Sequence, residues 1–390
     1  MTTGSTPQVA PTHASVVIVG GGIMGTATAH YLAEAGVEDV VLVERDELGS
    51  GSTSKAAGGL RSQFSDEVNI ALGARSLETF RRFRSDFDQD IDLVTSGYLF
   101  LLDDEEDAAR FERNVAHQQS LGQSSRMVTV AEAAELSPVI STAGLVGGAF
   151  NPDDAHCTPE AAVAGFARAA RRRGVTVLRH TAVTDIVVED GAVTGVETSR
   201  GPIATSTVVC AAGAWSQALG AMAGVELPVT PLRRQIMVTE PVDFDARKLP
   251  FTIDFSTSYY FHSEGDGLLM GAPELTDVRE FDTHRDPEWI EHLSRLIAHR
   301  TPALEDVCIR RGWAGLYECT PDHNALIGSA ADVDGFLYAC GFSGHGFLQG
   351  PAVGEVLRDL YLGREPFVDI SPMSVERFAA DALRVELNIV

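Results

Sequence analysis

Three glycines near the start of the chain have the spacing of a loop that holds a phosphate group. Gly20, Gly22 and Gly25 form a G-x-G-x-x-G pattern, and Glu44 follows 19 residues after the last of them. Glycine permits a tight turn and brings backbone N–H groups close to a pyrophosphate, while a later carboxylate accepts from a ribose hydroxyl. The pattern predicts a dinucleotide site, and the acid at residue 44 favours NAD or FAD over NADP.

The elements that must position this loop are also visible in the sequence. The apolar run Val16–Val19 predicts a buried parallel strand, and residues 23–35 predict a helix that Gly36 ends. A second apolar run, Val40–Val43, ends at Glu44 and predicts the next strand. The order strand, glycine loop, helix, strand and acid is typical of a Rossmann-like unit.

Two later segments place small residues after a strand in the same way. Residues 175–178, the hairpin 184–188 and 193–198, and residues 208–211 predict strands, the last leading into Ala212 and Gly213. A helix is expected over residues 159–173 before them. Near the end, Phe336–Cys340 predicts a strand that runs into a glycine-rich loop, with a helix starting at about residue 351.

These separated segments predict one discontinuous cofactor domain and a second domain between its parts. We expect the cofactor domain to comprise residues 14–90, 153–222 and 322–390, and the substrate domain residues 91–152 and 223–321. Residues 1–13 are expected to form a flexible tail. The run SGSTSKAAGGLRSQF, residues 50–64, is too polar and too rich in glycine to form a core, so it is expected to run along an extended cofactor.

Composition excludes several classes of partner. The 390 residues carry a formal charge of −25, which disfavours nucleic acid and anionic membranes as partners. No leader-like or membrane-spanning run is visible, so we expect a cytoplasmic protein. Five cysteines lie far apart without a C-x-x-C pair, which predicts no metal site and reduced thiols used as small apolar side chains.

Four motifs make the chain resemble a known family. GSTSKAAGGLRSQFSDE, SGYLFLL, GWAGLYECTPDHNALIG and GFSGHGF are similar to segments of the D-amino acid oxidase superfamily of flavoproteins. Within it, the chain looks like the branch of sarcosine oxidase, dimethylglycine dehydrogenase and the L-proline dehydrogenase β-subunit. The resemblance implies an α/β flavoprotein of two domains, with a Rossmann-like FAD-binding domain and a mixed-sheet substrate domain.

The resemblance also implies an activity. It is the FAD-dependent oxidation of the C–N bond of an amino acid or N-alkyl amino acid, such as sarcosine, proline or a D-amino acid. Hydride passes to flavin N5 and leaves an imine that hydrolyses. The alternatives are an electron-relay subunit of a hetero-oligomeric amino-acid dehydrogenase and, more weakly, a flavin-binding protein without turnover. The expected partners are a small amino acid or amine, and oxygen or another electron acceptor; homo- or hetero-oligomers stay open.

The motifs assign residues to FAD by position. The residues expected to contact FAD are Gly20, Gly22, Gly25, Glu44, Arg45, Ser52, Thr53, Lys55, Gly59, Val183, Ala212, Gly213, Trp215, Gly341, Gly344, His345, Gly346 and Phe347. Lys55 stands where dimethylglycine dehydrogenases carry a histidine bonded to the flavin. Gly315 stands where monomeric sarcosine oxidase carries a tethering cysteine. Noncovalent FAD is therefore expected.

The resemblance implies five catalytic or substrate-binding candidates. They are Arg61, Tyr260, Trp313, Tyr317 and Arg234. Arg61 corresponds to an arginine that pairs with the substrate carboxylate, a natural partner for a guanidinium. Arg234, or its neighbour Arg233, is the second candidate for this role.

Two departures from the family pattern affect the assignment. Leu348 replaces the family's second cation for the substrate carboxylate. Leu269 replaces the lysine that activates oxygen, which gives weight to a dehydrogenase over an oxidase.

Overall fold

A computed structural model of the chain describes residues 10–379, 383–386 and 388. Residues 1–9 of the predicted tail, and residues 380–382, 387 and 389–390 of the predicted cofactor domain, lie outside this part. The backbone carbonyl of Thr12 accepts a hydrogen bond from the N–H of Ala204 at 3.0 Å, and His13 forms a bridge with Ala204. Ordered structure therefore begins before residue 14.

Nineteen strands lie in the described residues. In chain order they are β1 Val16–Val19, β2 Val40–Val43, β3 Gly59–Leu60, β4 Tyr98–Leu102, β5 Arg126–Val128, β6 Gly147–Asn151, β7 Ala155–His156, β8 Thr176–Leu178, β9 Val183–Glu189, β10 Ala192–Thr198, β11 Ile203–Ala204, β12 Val208–Cys210, β13 Thr230–Thr239, β14 Phe251–Asp254, β15 Tyr259–Glu264, β16 Gly267–Ala272, β17 Ile309–Cys319, β18 Leu326–Ser329 and β19 Phe336–Cys340.

Nine α-helices lie in the same part of the chain. They are α1 Ile23–Glu34, α2 Glu67–Arg81, α3 Phe83–Phe87, α4 Glu105–Ser120, α5 Val130–Leu136, α6 Pro159–Arg172, α7 Ser216–Met222, α8 Pro287–Arg300 and α9 Gly346–Tyr361. Short 3₁₀ helices at Thr53–Lys55 and Gly213–Trp215 border the site described below. Among the described residues, no helix is both long enough and apolar enough to cross a membrane.

The expectation that the last helix starts near residue 351 is wrong. α9 begins at Gly346, and Pro351 lies inside it. Proline is favoured in a first turn, which made residue 351 a plausible start. Inside the helix, this proline provides no N–H for the carbonyl of Phe347, and the next N–H, that of Ala352, donates to Oγ of Ser76 on α2 at 3.0 Å.

A six-stranded sheet carries the glycine loop. Its order is β18-β19-β12-β1-β2-β8, and all its pairs are parallel except the antiparallel pair β18/β19 at one edge. Helix α1 packs against α6 and α9 beside it. Strands β1 and β2 are buried along their whole length, as the apolar runs predicted, because residues on both faces pack into hydrophobic cores.

An eight-stranded sheet forms the other main layer. Its order is β17-β13-β16-β15-β14-β4-β6-β5, with β14 and β4 parallel and the remaining pairs antiparallel. All its strands come from residues 91–152 and 223–321, whereas those of the six-stranded sheet come from the other three predicted segments. The predicted fold class, a Rossmann-like layer combined with a mixed sheet, is confirmed.

Candidate functional site

A cavity of about 500 Å³ lies between the two sheets. One side is lined by the ends of β1, β2 and β12 and the loops that follow them. The other side is lined by β13, β15 and β17 of the eight-stranded sheet. A ligand in this cavity contacts the glycine loop at one end and side chains of the mixed sheet at the other.

The glycine loop has the geometry that its sequence predicts. Gly20 has a φ of +118°, and a Cβ on it would overlap the backbone carbonyl of Ala211. A Cβ on Gly25 would overlap the carbonyl of Gly20, because α1 packs directly on β1 there. Gly22 is the N-cap of α1, so the positive end of the helix faces the cavity, as an anion site requires.

Glu44 holds the loop in place. Its Oε2 accepts from the backbone N–H of Gly21 at 2.7 Å, and its Oε1 accepts from that of Asp46 at 2.8 Å. A carboxylate has about four acceptor sites, so two remain for a ligand hydroxyl. Oγ1 of Thr53 accepts from the N–H of Ile23 at 3.2 Å and supports the first turn of α1.

The donor set at this end fits the pyrophosphate of a dinucleotide. Ser52 lines the cavity, and its buried Oγ has no hydrogen-bond partner among the described residues. A buried hydroxyl without a partner costs free energy unless a ligand supplies one. The bare glycine loop, the N-terminus of α1 and this hydroxyl together form a cradle for an anion.

Planar side chains border the cavity beside Glu44. Cζ of Arg45 lies 3.8 Å from the centre of the Trp215 ring. The ring of Trp215 stacks on that of Phe281 with centroids 5.4 Å apart. Phe281 belongs to the loop between β16 and α8, so both layers contribute to this edge.

The opposite end combines one cation with two phenols. Arg234, Tyr260 and Tyr317 all line the cavity, and Cζ of Arg234 lies 5.6 Å from the Tyr317 ring. Nε of Arg234 is buried and has no partner in the described part of the chain. Burial raises the pKa of both tyrosines, so each hydroxyl stays a donor at neutral pH. This group of residues can hold a carboxylate.

Arg61 lies outside the cavity lining. Its guanidinium donates to the backbone carbonyls of Gln63 and Asn388, the second at 2.6 Å, and lies 3.0 Å from Nε2 of His345. The side chain is 4% exposed, and no carboxylate of the described residues lies within ion-pair distance of it. The assigned role of Arg61 in carboxylate binding stays a prediction.

The cavity brings together most of the predicted residues but not all of them. Those outside its lining, besides Arg61, are Gly25, Gly59, Trp313, Gly341 and His345. Each has a packing or support contact instead. Nε1 of Trp313 donates to the carbonyl of Lys55 at 3.0 Å, and a Cβ on Gly59 would overlap the Tyr98 hydroxyl.

Sequence reasoning missed some lining residues. Ile236, Phe281, Thr283 and Glu318 line the cavity but were not among the candidates. The first three carry no distinctive motif. Glu318 could have been found from the sequence, because it is the one acidic residue in the motif from Gly312 to Cys319.

The family follows from a comparison with known proteins. The model of the family described as "FAD dependent oxidoreductase" matches residues 15–360. The chain belongs to this family. FAD is the cofactor that the family uses, so the dinucleotide left open by the glycine pattern is FAD, and the resemblance inferred from the motifs is confirmed.

Relatives and solved structures agree with this assignment. Mitochondrial sarcosine dehydrogenase from Mus musculus is 31% identical over 391 residues, which cover 95% of this chain and 42% of that protein. L-Proline dehydrogenase from P. horikoshii superposes with a TM-score of 0.91 at 32% identity, covering 96% of this chain and 100% of that one. Glycine oxidase from Geobacillus kaustophilus superposes with a TM-score of 0.85 at 27% identity, covering 94% of this chain and 99% of that one. The chain thus spans less than half of the sarcosine dehydrogenase.

Proposed function

We propose that the chain oxidises the C–N bond of a small amino acid or N-alkyl amino acid, using FAD held without a covalent bond. The observation that carries this proposal is the single cavity that joins the glycine loop to Arg234, Tyr260 and Tyr317. FAD, when bound, supplies the redox chemistry by accepting a hydride from the carbon next to nitrogen. The relatives named sarcosine dehydrogenase, L-proline dehydrogenase and glycine oxidase support this substrate class.

The residues of the chain bind and orient both molecules. The six-stranded sheet holds the pyrophosphate through the glycine loop, Thr53 and Ser52, and the eight-stranded sheet presents the substrate groups. Arg234 pairs with the substrate carboxylate, and the protonated hydroxyls of Tyr260 and Tyr317 donate hydrogen bonds to it. Fixing the carboxylate at one end of the cavity fixes the C–N bond relative to the cofactor, which is the main contribution that a protein makes to such a reaction.

The first test is a substrate panel under anaerobic conditions. Purified protein is mixed with sarcosine, proline, glycine, dimethylglycine and D-amino acids, and the loss of flavin absorbance is followed. The expected result is rapid bleaching by at least one amino acid, with slower bleaching in an Arg234→Met variant. A yellow protein that none of these compounds reduces would sink the proposal.

A second candidate function concerns the electron acceptor. Leu269 is buried in β16, where the resemblance places the oxygen-activating lysine of sarcosine oxidase. The absence of that cation favours a dehydrogenase, or a subunit that relays electrons to a partner chain. Turnover with an artificial dye but not with oxygen would support this candidate, whereas equal turnover with oxygen would exclude it.

A further inference from the structure

The side chain of Glu318 lies between two glycines, Gly213 and Gly346, that line the cavity. A Cβ on Gly346 would lie 3.5 Å from its Oε1, and a Cβ on Gly213 would lie 3.7 Å from its Oε2. Gly213 follows β12, and Gly346 is the first residue of α9. The carboxyl group therefore stands where the mixed sheet meets the edge of the Rossmann-like layer.

One oxygen of the Glu318 carboxyl group has no hydrogen-bond partner among the described residues. This atom, Oε2, is buried, and Glu318 forms no ion pair within the residues that the structure describes. Burial raises the pKa of Glu318 to about 7, although the backbone N–H groups of Gly341 and Phe342 favour the ionised form. The group therefore exchanges its proton near neutral pH.

The proton on Glu318 affects the electrostatic potential at the N-terminus of α9. α9 has 16 residues and begins beside the carboxyl group, and its N-cap His345 makes no side-chain capping bond. A helix N-terminus carries about half a positive charge. Gly346 and Phe347 present this potential to the cavity, and an ionised Glu318 would cancel part of it.

We propose that Glu318 is a positioning residue whose proton sets the charge at the N-terminus of α9 and couples the reduction of bound FAD to pH. The inference deepens the proposed function and rests on it for the presence of FAD in this cavity. Reduction adds negative charge to the cofactor, and a like charge disfavours the ionised carboxylate. Glu318 then holds its proton more tightly when the cofactor is reduced. By linkage, the protonated enzyme is reduced more easily.

Other titratable groups lie on the strand of Glu318 itself and on the neighbouring elements. On β12 and β19 these are the buried thiols Cys210 and Cys340; burial raises the pKa of Cys340, whereas its hydrogen bond to Cys210 lowers that of Cys210. On β17, burial raises the pKa of Tyr317 and takes that of Cys319 to about 11. At the start of α9, burial keeps the pKa of His345 well below its usual value. Among these groups, Cys210 is the alternative source of a pH dependence near neutrality, because its pKa is the one that is lowered from above.

The test is a reduction potential measured against pH on the FAD-loaded protein. Wild type and the Glu318→Gln variant, which keeps the shape of the side chain, are titrated with mediators and dithionite from about pH 5.5 to about pH 9. Because N1 of reduced flavin also titrates in this range, we expect both plots to change slope near pH 7, and we expect that change to be smaller or displaced in pH in the variant. An unchanged inflection in Glu318→Gln overturns the proposal.

Two matched variants identify the group responsible. Burial also raises the pKa of Asp154 to about 7, but Asp154 lies outside the cavity lining and is bound by Ser62 and Gln63. Asp154→Asn and Cys210→Ala are expected to keep the wild-type inflection, and a smaller or displaced inflection in either would assign it to that residue and overturn the proposal. If Glu318→Gln fails to bind FAD, Glu318→Asp replaces it and must move the inflection.

The outcome is separable from that of the proposed function. Chemical reduction needs no amino acid, so a difference between the wild-type and Glu318→Gln plots can be present in a protein that no substrate reduces. Conversely, substrate turnover with an inflection that Glu318→Gln leaves unchanged supports the proposed function and rejects the role of Glu318.

Discussion

The side chain of Lys55 lies directly against the backbone of Gly315, so that a Cβ at residue 315 would overlap the Cβ of Lys55. Both residues line the cavity, one from the 3₁₀ helix after β2 and one from β17. They are the two positions that the motif resemblance assigns to covalent attachment of flavin. The structure thus places both tether positions at one point of the cavity, and neither carries the required side chain.

FAD is therefore expected to leave the protein on denaturation. Neither the amine of Lys55 nor the bare backbone of Gly315 provides the imidazole or thiol that the tether needs. Acid precipitation followed by absorbance of the two fractions checks this, and the yellow colour should stay in the supernatant. A yellow pellet that resists washing would mean that a covalent bond forms elsewhere.

Replacement of Glu44 by glutamine should weaken FAD binding. The carboxylate holds the N–H groups of Gly21 and Asp46, and hydrogen bonds to a charged group contribute about 1.5–3 kcal/mol, so we expect an increase in Kd of roughly 10- to 100-fold. Fluorescence titration of the apoprotein with FAD measures it. Glu38→Gln is the control, because this exposed carboxylate lies outside the cavity lining and should leave Kd nearly unchanged. Equal losses in both variants would contradict the role given to Glu44.

The adjacent arginines Arg233 and Arg234 should behave differently when replaced by methionine. Arg234→Met should raise KM for the amino acid by about tenfold or more with little loss of stability, since a charge-assisted bond to the carboxylate is lost. Arg233 instead forms a bidentate pair with buried Glu274, both distances being 2.7 Å. Arg233→Met should lower the free energy of unfolding by roughly 3 kcal/mol, because it leaves that carboxylate without its partner.

Steady-state kinetics and urea unfolding separate these two effects. A reversed pattern, with stability lost in Arg234→Met and KM raised in Arg233→Met, would show that the carboxylate anchor has been assigned to the wrong arginine.

His262 should make the protein less stable in acid. It is 1% exposed, its Nε2 has no partner among the described residues, and burial lowers its pKa to about 4. Below the unfolded pKa of about 6.5, the unfolded chain binds a proton that the folded chain refuses, so stability falls from about pH 6.5 towards pH 4. Over this pH range, His262 lowers the free energy of unfolding by at most about 3 kcal/mol.

Replacing His262 with phenylalanine should flatten this dependence. The His262 ring stacks on Phe251 with centroids 4.6 Å apart, so an aromatic replacement keeps the packing. Urea unfolding at pH 7 and at pH 5 should show a smaller difference for His262→Phe than for wild type. His299→Gln, at an exposed position, serves as the control and should match wild type. An unchanged difference in His262→Phe would assign the acid sensitivity to other groups.

The sequence by itself determined the local parts of this protein. β1, the glycine loop, α1 and β2 were predictable because their hydrophobic periodicity and their special glycines lie within about 30 consecutive residues. The overlap that forces glycine at residue 25 is a contact with Gly20, a near neighbour in the chain, whereas the overlap at residue 20 is with the distant carbonyl of Ala211. For the same reason, β19 and the loop after it were found, while the start of α9 was misplaced because a proline, a residue favoured in first turns, lies inside this helix.

Only the tertiary structure decided which distant residues share the site. Tyr260, Arg234 and Tyr317 stand on three different strands and meet in the cavity through sheet register, which no local pattern specifies. Burial in the folded chain decided the partners of the remaining charged residues. It places Arg61 against Asn388, 327 residues away, and leaves Oε2 of Glu318 without a hydrogen-bond partner among the described residues, beside the first residue of α9. A side chain's type fixes what chemistry it can do, but its pKa and its partners depend on the long-range packing around it.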